Sequence, residues 1–235
     1  MKLSIVIPAH NEEENIGQVI EQVEERVKLP FDLIVVNDHS ADRTAEIVSG
    51  LARKFNNIIL VENKLAGGFA NAIKTGLVSV KTEIVVPLMG DLCDDLGTIP
   101  LMFEKIKEGF DVVCGARYIK GGGRIGGSRI KGFFSFFVGR TMSMFIGIPT
   151  RDIANAFKMY HKKVIDSINI ESTGFEVSME LAVKAYFKGF RITEVPTVWR
   201  EREKGKSNFK MFNLTPNYSK WYLWAIGKKL TDRSG

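Results

Sequence analysis

Cysteine is scarce in this 235-residue chain: only Cys93 and Cys114 are present, which excludes a disulfide framework and suits a reducing compartment. Long apolar runs are missing too. No uncharged stretch reaches the ~18 residues of a membrane span, and the nearest candidate, 132–148, is interrupted by Arg140. The opening residues 1–8 carry too short an apolar run to read as a leader. Nothing is therefore expected to cross a bilayer, although the chain could lie against one. One-sided charge is also absent: 33 Lys+Arg stand against 27 Asp+Glu, a net charge of +6 that hints only weakly at an anionic partner. A hydrophobic fraction of 45% and a mean hydropathy of −0.01 exclude a disordered or fibrous chain. No internal repeat or linker stands out, so one domain over 1–235 is expected.

What is present is an alternation of short apolar runs with helical patterns. Residues 3–7, 31–36, 57–61, 84–88, 110–114 and 191–195 read as strands, several of them almost continuously apolar. Between them, Ile16, Val19, Ile20, Val23 and Val27 keep helical spacing, as do Ala45, Ile47, Val48 and Leu51. Further helices are expected over 69–80 and 175–187. This pattern predicts an α/β fold with a mainly parallel central sheet flanked by helices. Ligands of such sheets sit beyond the carboxyl ends of the strands. A dinucleotide-binding domain fits the alternation, but the chain lacks a Gly-x-Gly-x-x-Gly turn after its first strand. The aromatic and methionine run Phe133, Phe134, Phe136, Phe137, Met142, Met144 and Phe145 reads as core more readily than as an interface.

Chemistry-bearing residues gather at the strand ends. Pro87-Leu88-Met89-Gly90-Asp91-Leu92-Cys93-Asp94-Asp95 puts three carboxylates on one short loop, where they repel one another unless a cation compensates. Hard oxygen ligands of this kind suit Mg²⁺ or Mn²⁺, although Asp94 and Asp95 could equally cap the helix beginning near Thr98. Asp38, in Val36-Asn37-Asp38-His39-Ser40, could bond a base or ribose. His10 and Glu12 follow the first strand, where His10 could stack on a base. From Arg117 to Arg140 there are six basic residues and no acidic one. An acidic site facing a basic loop is the pattern that results.

These segments together resemble family 2 glycosyltransferases of the GT-A fold, most closely the dolichol-phosphate mannose synthase-like group. The resemblance runs through Ile5-Val6-Ile7-Pro8-Ala9-His10-Asn11-Glu12, the Asp38 loop with Asp42-Arg43-Thr44, and Asn63 to Ala72. It continues through Gly115-Ala116-Arg117-Tyr118, Gly121-Gly122-Gly123, Glu194-Val195-Pro196 and Arg202 to Ser207. It implies an inverting transfer of a hexose, mannose or glucose, from a GDP- or UDP-linked sugar to a polyprenyl phosphate at a membrane surface. Nucleic acid is not among the implied partners, and the implied location is the cytoplasmic face of a membrane, with peripheral attachment. By the resemblance, Pro8, His10, Glu12, Asp38, Gly90, Asp91, Arg202, Lys206 and Ser207 fall at donor positions. Asp91 and Asp94 would hold Mg²⁺ or Mn²⁺, while Arg117, Arg129 and Lys131 would meet the acceptor phosphate. Asp91, Arg117 and Asp94 would thus carry catalysis. The donor half is expected over about 1–115, the acceptor half over about 116–212 and an amphipathic tail over about 213–235. Met89 departs from the family's Asp-x-Asp motif, standing where its first Asp is expected.

An acceptor phosphate is already an anion and needs no strong base, so the protein's work would be positioning and stabilisation of the leaving diphosphate. A hydroxyl acceptor would need a base, for which Asp94 or Asp95 is the candidate. The Met89 departure leaves open a third reading, a catalytically silent nucleotide-sugar-binding module.

Overall fold

The computed structural model describes residues 1–91, 93–202 and 211–232, with side chains for all of these except 211–215. The chain runs β1 (Leu3–Ala9), α1 (Ile16–Arg26), β2 (Phe31–Asn37), α2 (Thr44–Ala52), β3 (Ile58–Glu62), α3 (Phe69–Ser79), β4 (Ile84–Pro87) and α4 (Thr98–Lys107). It continues with β5 (Val112–Ala116), β6 (Gly123–Ile125), α5 (Arg129–Ile146), β7 (Lys158–His161), α6 (Lys162–Ser167), α7 (Val177–Phe187), β8 (Ile192–Pro196), β9 (Val198–Arg200) and α8 (Met211–Thr231). Seven strands form one sheet in the order β3-β2-β1-β4-β7-β5-β8, and β6 pairs with β9 in a small second ladder.

The α/β reading with a mainly parallel sheet agrees with this architecture. Alternation along each strand explains the two-sided core. Ile5 and Ile7 of β1, with Leu33 and Val35 of β2, face the side covered by α1, α2 and α4. Val6, Ile34 and Val36 face α3, and the same apolar layer extends to α7 and Trp221 of α8. The helical spacing of Ile16, Val19, Ile20 and Val23 buries one face of α1.

The sequence reading missed the short β6 and β9 and, within the seven-stranded sheet, β7, which runs antiparallel to both β4 and β5. Because it opposes both, β4 and β5 point the same way, and their carboxyl ends share one edge of the sheet. Chain order reverses beside β1: β2 and β3 lie on one side and β4 on the other. That reversal opens a crevice between the loops following β1 and β4, the usual ligand position in such sheets.

The aromatic run is the clearest departure from expectation. Met142 is fully buried, but Phe133, Phe134, Phe136, Phe137, Met144 and Phe145 of α5 are all exposed. Helix α5 packs beside α8 near the edge of the fold, and too little protein covers its outer face to enclose these side chains. Among the described residues, no helix is long and apolar enough to cross a membrane.

Close packing of α3 on the sheet depends on Gly76, where a Cβ would lie 2.3 Å from Val6 Cγ1 and 3.0 Å from Val36 Cγ2. Gly76→Ala is therefore expected to destabilise the fold by about 1–3 kcal/mol through overpacking. Denaturant unfolding checks this; unchanged stability would mean that the helix can lift off without loss.

Candidate active site

The crevice opens into a cavity of about 1270 Å³. Its first wall comes from the ends of β1, β2 and β4. Pro8, His10, Glu12, Asp38, Gly90 and Asp91, all donor positions in the sequence reading, line it together. Gly90 lies against the β1 end, where a Cβ would make an ordinary 3.6 Å contact with the Pro8 carbonyl oxygen. His10 holds its place through Nδ1, 2.6 Å from the Asp38 carbonyl oxygen. The Asp38 carboxylate accepts from Asn63 Nδ2 at 2.6 Å and from the Gly68 N–H at 2.8 Å. It therefore ties the β2 end to the turn before α3, which is a structural duty beyond the base or ribose contact expected of it.

The acidic loop is the electrostatic centre of this wall. Asp91 is buried, and its Oδ2 accepts from Arg202 Nη2 at 2.6 Å. Arg202 Nη1 also lies 3.9 Å from Glu12 Oε1. Burial pushes the Asp94 carboxyl up to about 7, and the Asp91 charge adds to the shift. Burial also raises Glu12, against the hydrogen bond from Asn15 and the attraction of Arg202. Asp95 turns aside to accept from the Gly97 N–H at 3.1 Å, just before α4. The N-cap of α4 is Gly97 with no side-chain cap bond, so neither Asp94 nor Asp95 caps the helix as the sequence allowed. Lys206 and Ser207 lie outside the described residues, as does Leu92.

Among the described residues, no three of His, Cys, Asp and Glu converge as a ready-made metal site. Asp91 is instead neutralised by Arg202, and the Met89 thioether is too soft to complete a hard-cation set. Two adjacent carboxylates that repel each other nevertheless fit Mg²⁺ or Mn²⁺, which take one or two protein carboxylates and complete their shell with water and phosphate.

The rest of the lining carries the cations Arg117, Arg124 and Lys131, beside one carboxylate, Glu201. Arg117, just beyond β5, donates from Nε to Asp152 Oδ2 at 2.7 Å and from Nη2 to Asp152 Oδ1 at 2.8 Å. Its Nη2 also reaches Ser135 Oγ at 2.8 Å. Desolvation opposes the guanidinium's charge, but Asp152 outweighs it and holds the pKa above the usual arginine value. Lys131 lines the cavity, whereas Arg129 is exposed and stands apart from the lining. The Ser128 side chain caps α5 by accepting from the Lys131 N–H, which fixes the start and hence the phase of that helix.

Asp152 and Ser135 went unnoticed in the sequence. The pair Arg117–Asp152 spans 35 residues and leaves no local signal. Ser135 did leave one: it is a lone polar residue in an aromatic run, four positions after Lys131 and so on the same helix face.

Comparison with known proteins agrees with this geometry. The model of glycosyl transferase family 2 matches residues 4–168. A dolichol-phosphate mannosyltransferase of Pyrococcus furiosus is 28% identical over 218 residues, covering 89% of this chain and 60% of that protein. A dolichyl-phosphate hexose transferase of Haloferax volcanii is 28% identical over 201 residues, covering 85% of this chain and 83% of that one. The chain thus spans less than two thirds of the length of the Pyrococcus relative. Among solved structures, glucosyl-3-phosphoglycerate synthase from Mycobacterium tuberculosis, in complex with Mn²⁺, UDP and glucosyl-3-phosphoglycerate, superposes with a TM-score of 0.72. That likeness, at 18% identity over 96% of this chain and 80% of the other, shows a common GT-A fold.

Removing Asp152 leaves the Arg117 charge buried and unpaired. Asp152→Ala is expected to lower stability by about 3–5 kcal/mol, read by denaturant unfolding. A loss below about 1 kcal/mol, as for an exposed pair, would contradict the burial of this one.

Proposed function

This chain belongs to glycosyl transferase family 2, and from that premise we propose that it moves a hexose, mannose or glucose, from a nucleoside-diphosphate sugar to a polyprenyl phosphate. The observation that carries the reading is one cavity lined both by the carboxylates Glu12, Asp38, Asp91 and Asp94 at the ends of β1, β2 and β4 and by the cations Arg117, Arg124 and Lys131 beyond β5. Its volume of about 1270 Å³ exceeds the ~300–1,000 Å³ of a typical small-molecule site. Two substrates can therefore share it.

In this reading residues of about 1–115 hold the donor and residues of about 116–212 the acceptor. Pro8, His10 and Asp38 receive the nucleoside, and Arg202, from the later half of the chain, meets the diphosphate; Lys206 and Ser207, assigned to the diphosphate by the resemblance, lie outside the described residues. An acceptor phosphate oxygen forms the new bond to the anomeric carbon as the bond to the donor diphosphate breaks, with inversion. The electron pair leaves on the nucleoside diphosphate, and no proton has to be removed from the nucleophile. Mg²⁺ or Mn²⁺ held by Asp91 and Asp94 would offset the leaving charge. Lys131 offsets repulsion between the two phosphate groups and Arg117 orients the acceptor phosphate with its fork geometry, whereas Arg129, expected beside them, is exposed and outside the cavity lining.

The relatives' names support a lipid phosphate acceptor, as does the exposed aromatic face of α5. No acidic residue interrupts the chain between Asp111 and Asp152, and Arg140 stands among the exposed phenylalanines. Helix α8 adds Leu223 and Trp224, both exposed, and is anchored by the fully buried Trp221, whose Nε1 donates to Ser172 Oγ at 2.9 Å. Such a face suits the surface of an anionic membrane, consistent with peripheral attachment to the cytoplasmic leaflet. A second reading, transfer to a hydroxyl, draws on Asp94, whose carboxyl titrates near neutrality as a general base would.

Asp91→Asn is expected to lower metal-dependent donor turnover by roughly 10²-fold or more. Arg117→Lys, which keeps the charge but loses the fork, is expected to raise the acceptor KM more than the donor KM. Steady-state kinetics with donor and acceptor varied separately checks both; wild-type turnover by Asp91→Asn would remove that residue from the chemistry. The pH dependence follows from Asp94. Its carboxyl is protonated below about 7 in the ligand-free protein, so Mn²⁺ binding is expected to strengthen from about pH 6 to about pH 8 as the competing proton leaves. Calorimetric titration checks this, and Asp94→Asn should flatten the profile; an unchanged slope in that variant would separate Asp94 from the cation.

A further inference from the structure

We propose that Arg124 is an additional phosphate-binding residue of the acceptor site, held ready in a slot that two glycines keep open. The inference rests on the reading of the cavity as one that takes a phosphorylated acceptor. Its starting point is a shortage of positive charge. Arg117 is matched by the Asp152 carboxylate through two short hydrogen bonds before any substrate arrives. The pair is close to neutral as a unit, so it can orient an incoming phosphate better than it can balance it.

Arg124 lies on β6, in register with Trp199 of β9. Its guanidinium carbon sits 5.1 Å from the centroid of the Trp199 ring. The rest of the slot is backbone. A Cβ at Gly132 would fall 1.8 Å from Arg124 Nη1, and one at Gly127 would fall 2.9 Å from Nη2 and 2.9 Å from the Trp199 ring. Side chains at either position would therefore collide with the guanidinium. Gly127 also has φ +75°, a conformation that disfavours any replacement.

The half-buried cation has few protein partners. Nη1 makes a long hydrogen bond of 3.4 Å to the Ser128 carbonyl oxygen, and Nε is buried with no partner. Among the described residues Arg124 forms no ion pair. Glu201, on the same cavity wall, directs its carboxylate to the Gly127 N–H at 2.9 Å. A half-buried guanidinium with its Nε enclosed and no ion pair among the described residues leaves its charge available to an incoming anion. Arg124, Ser128, Lys131 and Ser135 all line the cavity, and the last three belong to the start of α5. The anion that fits is a phosphomonoester at this wall, with the donor diphosphate kept near Asp91 and Asp94. A fixed, stacked guanidinium loses little freedom on binding, which favours its use here over a flexible lysine.

The test compares wild-type protein with Arg124→Ala, Arg124→Lys and Gly132→Ala. Gly132→Ala keeps every charge and improves helix propensity, but its methyl displaces the guanidinium. Three readouts are needed: KM for polyprenyl phosphate in vesicles, Kd for the nucleoside-diphosphate sugar, and Kd for water-soluble geranyl phosphate, which requires no turnover. Arg124→Ala and Gly132→Ala should each weaken geranyl phosphate binding and raise the acceptor KM by about tenfold, the size of one charge-assisted hydrogen bond. Donor Kd should stay within about twofold, and Arg124→Lys should recover part of the loss. Unchanged geranyl phosphate binding in Arg124→Ala overturns the inference, and an equal loss of donor affinity moves Arg124 to the diphosphate instead. Wild-type protein that binds geranyl phosphate through Arg124 but transfers nothing to lipid would overturn the acceptor reading while leaving the phosphate site. Wild-type protein that binds no geranyl phosphate overturns both.

Discussion

The buried ion pair between Arg117 and Asp152 is the constraint on which the cationic half of the cavity depends. Arg117 leaves the end of β5, and Asp152 sits in the segment leading to β7, so the pair binds two neighbouring strands at their loops. Ser135 brings α5 into the same contact. The segment is stitched down further by Asn155 Nδ2, which donates to the Gly115 carbonyl oxygen at 2.8 Å. The fully buried Lys158 ammonium satisfies the carbonyls of Ile153 and Asn155, and desolvation pushes its pKa down. A pair this enclosed contributes definition more than net stability, because desolvating both charges offsets much of their attraction.

The other half has the opposite sign. Asp91 and Asp94 crowd the end of β4, and Arg202 arrives from the far end of the chain to balance Asp91. The sheet topology creates this opposition. With β7 antiparallel between them, β4 and β5 deliver a carboxylate loop and a guanidinium to the same edge. On the proposed reading, a donor diphosphate with its divalent cation meets the first pole and a phosphorylated acceptor the second. Fixed charges of both signs then hold two anions close enough to react, which water would keep apart.

Much of this was legible in the sequence, and the reasons differ by element. Strands buried on both faces announce themselves as apolar runs, so β1, β2 and β4 and the loops beyond them could be located directly. Strand β7 could not: its four residues, Lys158 to His161, include a lysine whose burial depends on carbonyls supplied by the preceding loop. The phenylalanines of α5 carry a core composition, and only the position of that helix at the edge of the fold exposes them. Asp91, Glu12 and Asp38 were visible because they follow strands. Asp152 and the Arg124 slot were not, since each is defined by partners far apart in the chain or by the side chains that glycines lack. Arg129 and Lys131 look alike in sequence, and helix phase alone separates the exposed residue from the one on the cavity wall.

The central claim is that the cation-lined wall takes a phosphate as its nucleophile. It is tested most directly by offering the wild-type protein labelled GDP-mannose or UDP-glucose with Mg²⁺ or Mn²⁺, and either a polyprenyl phosphate or the matching free polyprenol in vesicles. The account predicts label in the organic phase with the phosphate and from one of the two donors, with none entering the free alcohol. Equal labelling of the free alcohol, or label that passes only to a water-soluble saccharide, would contradict it.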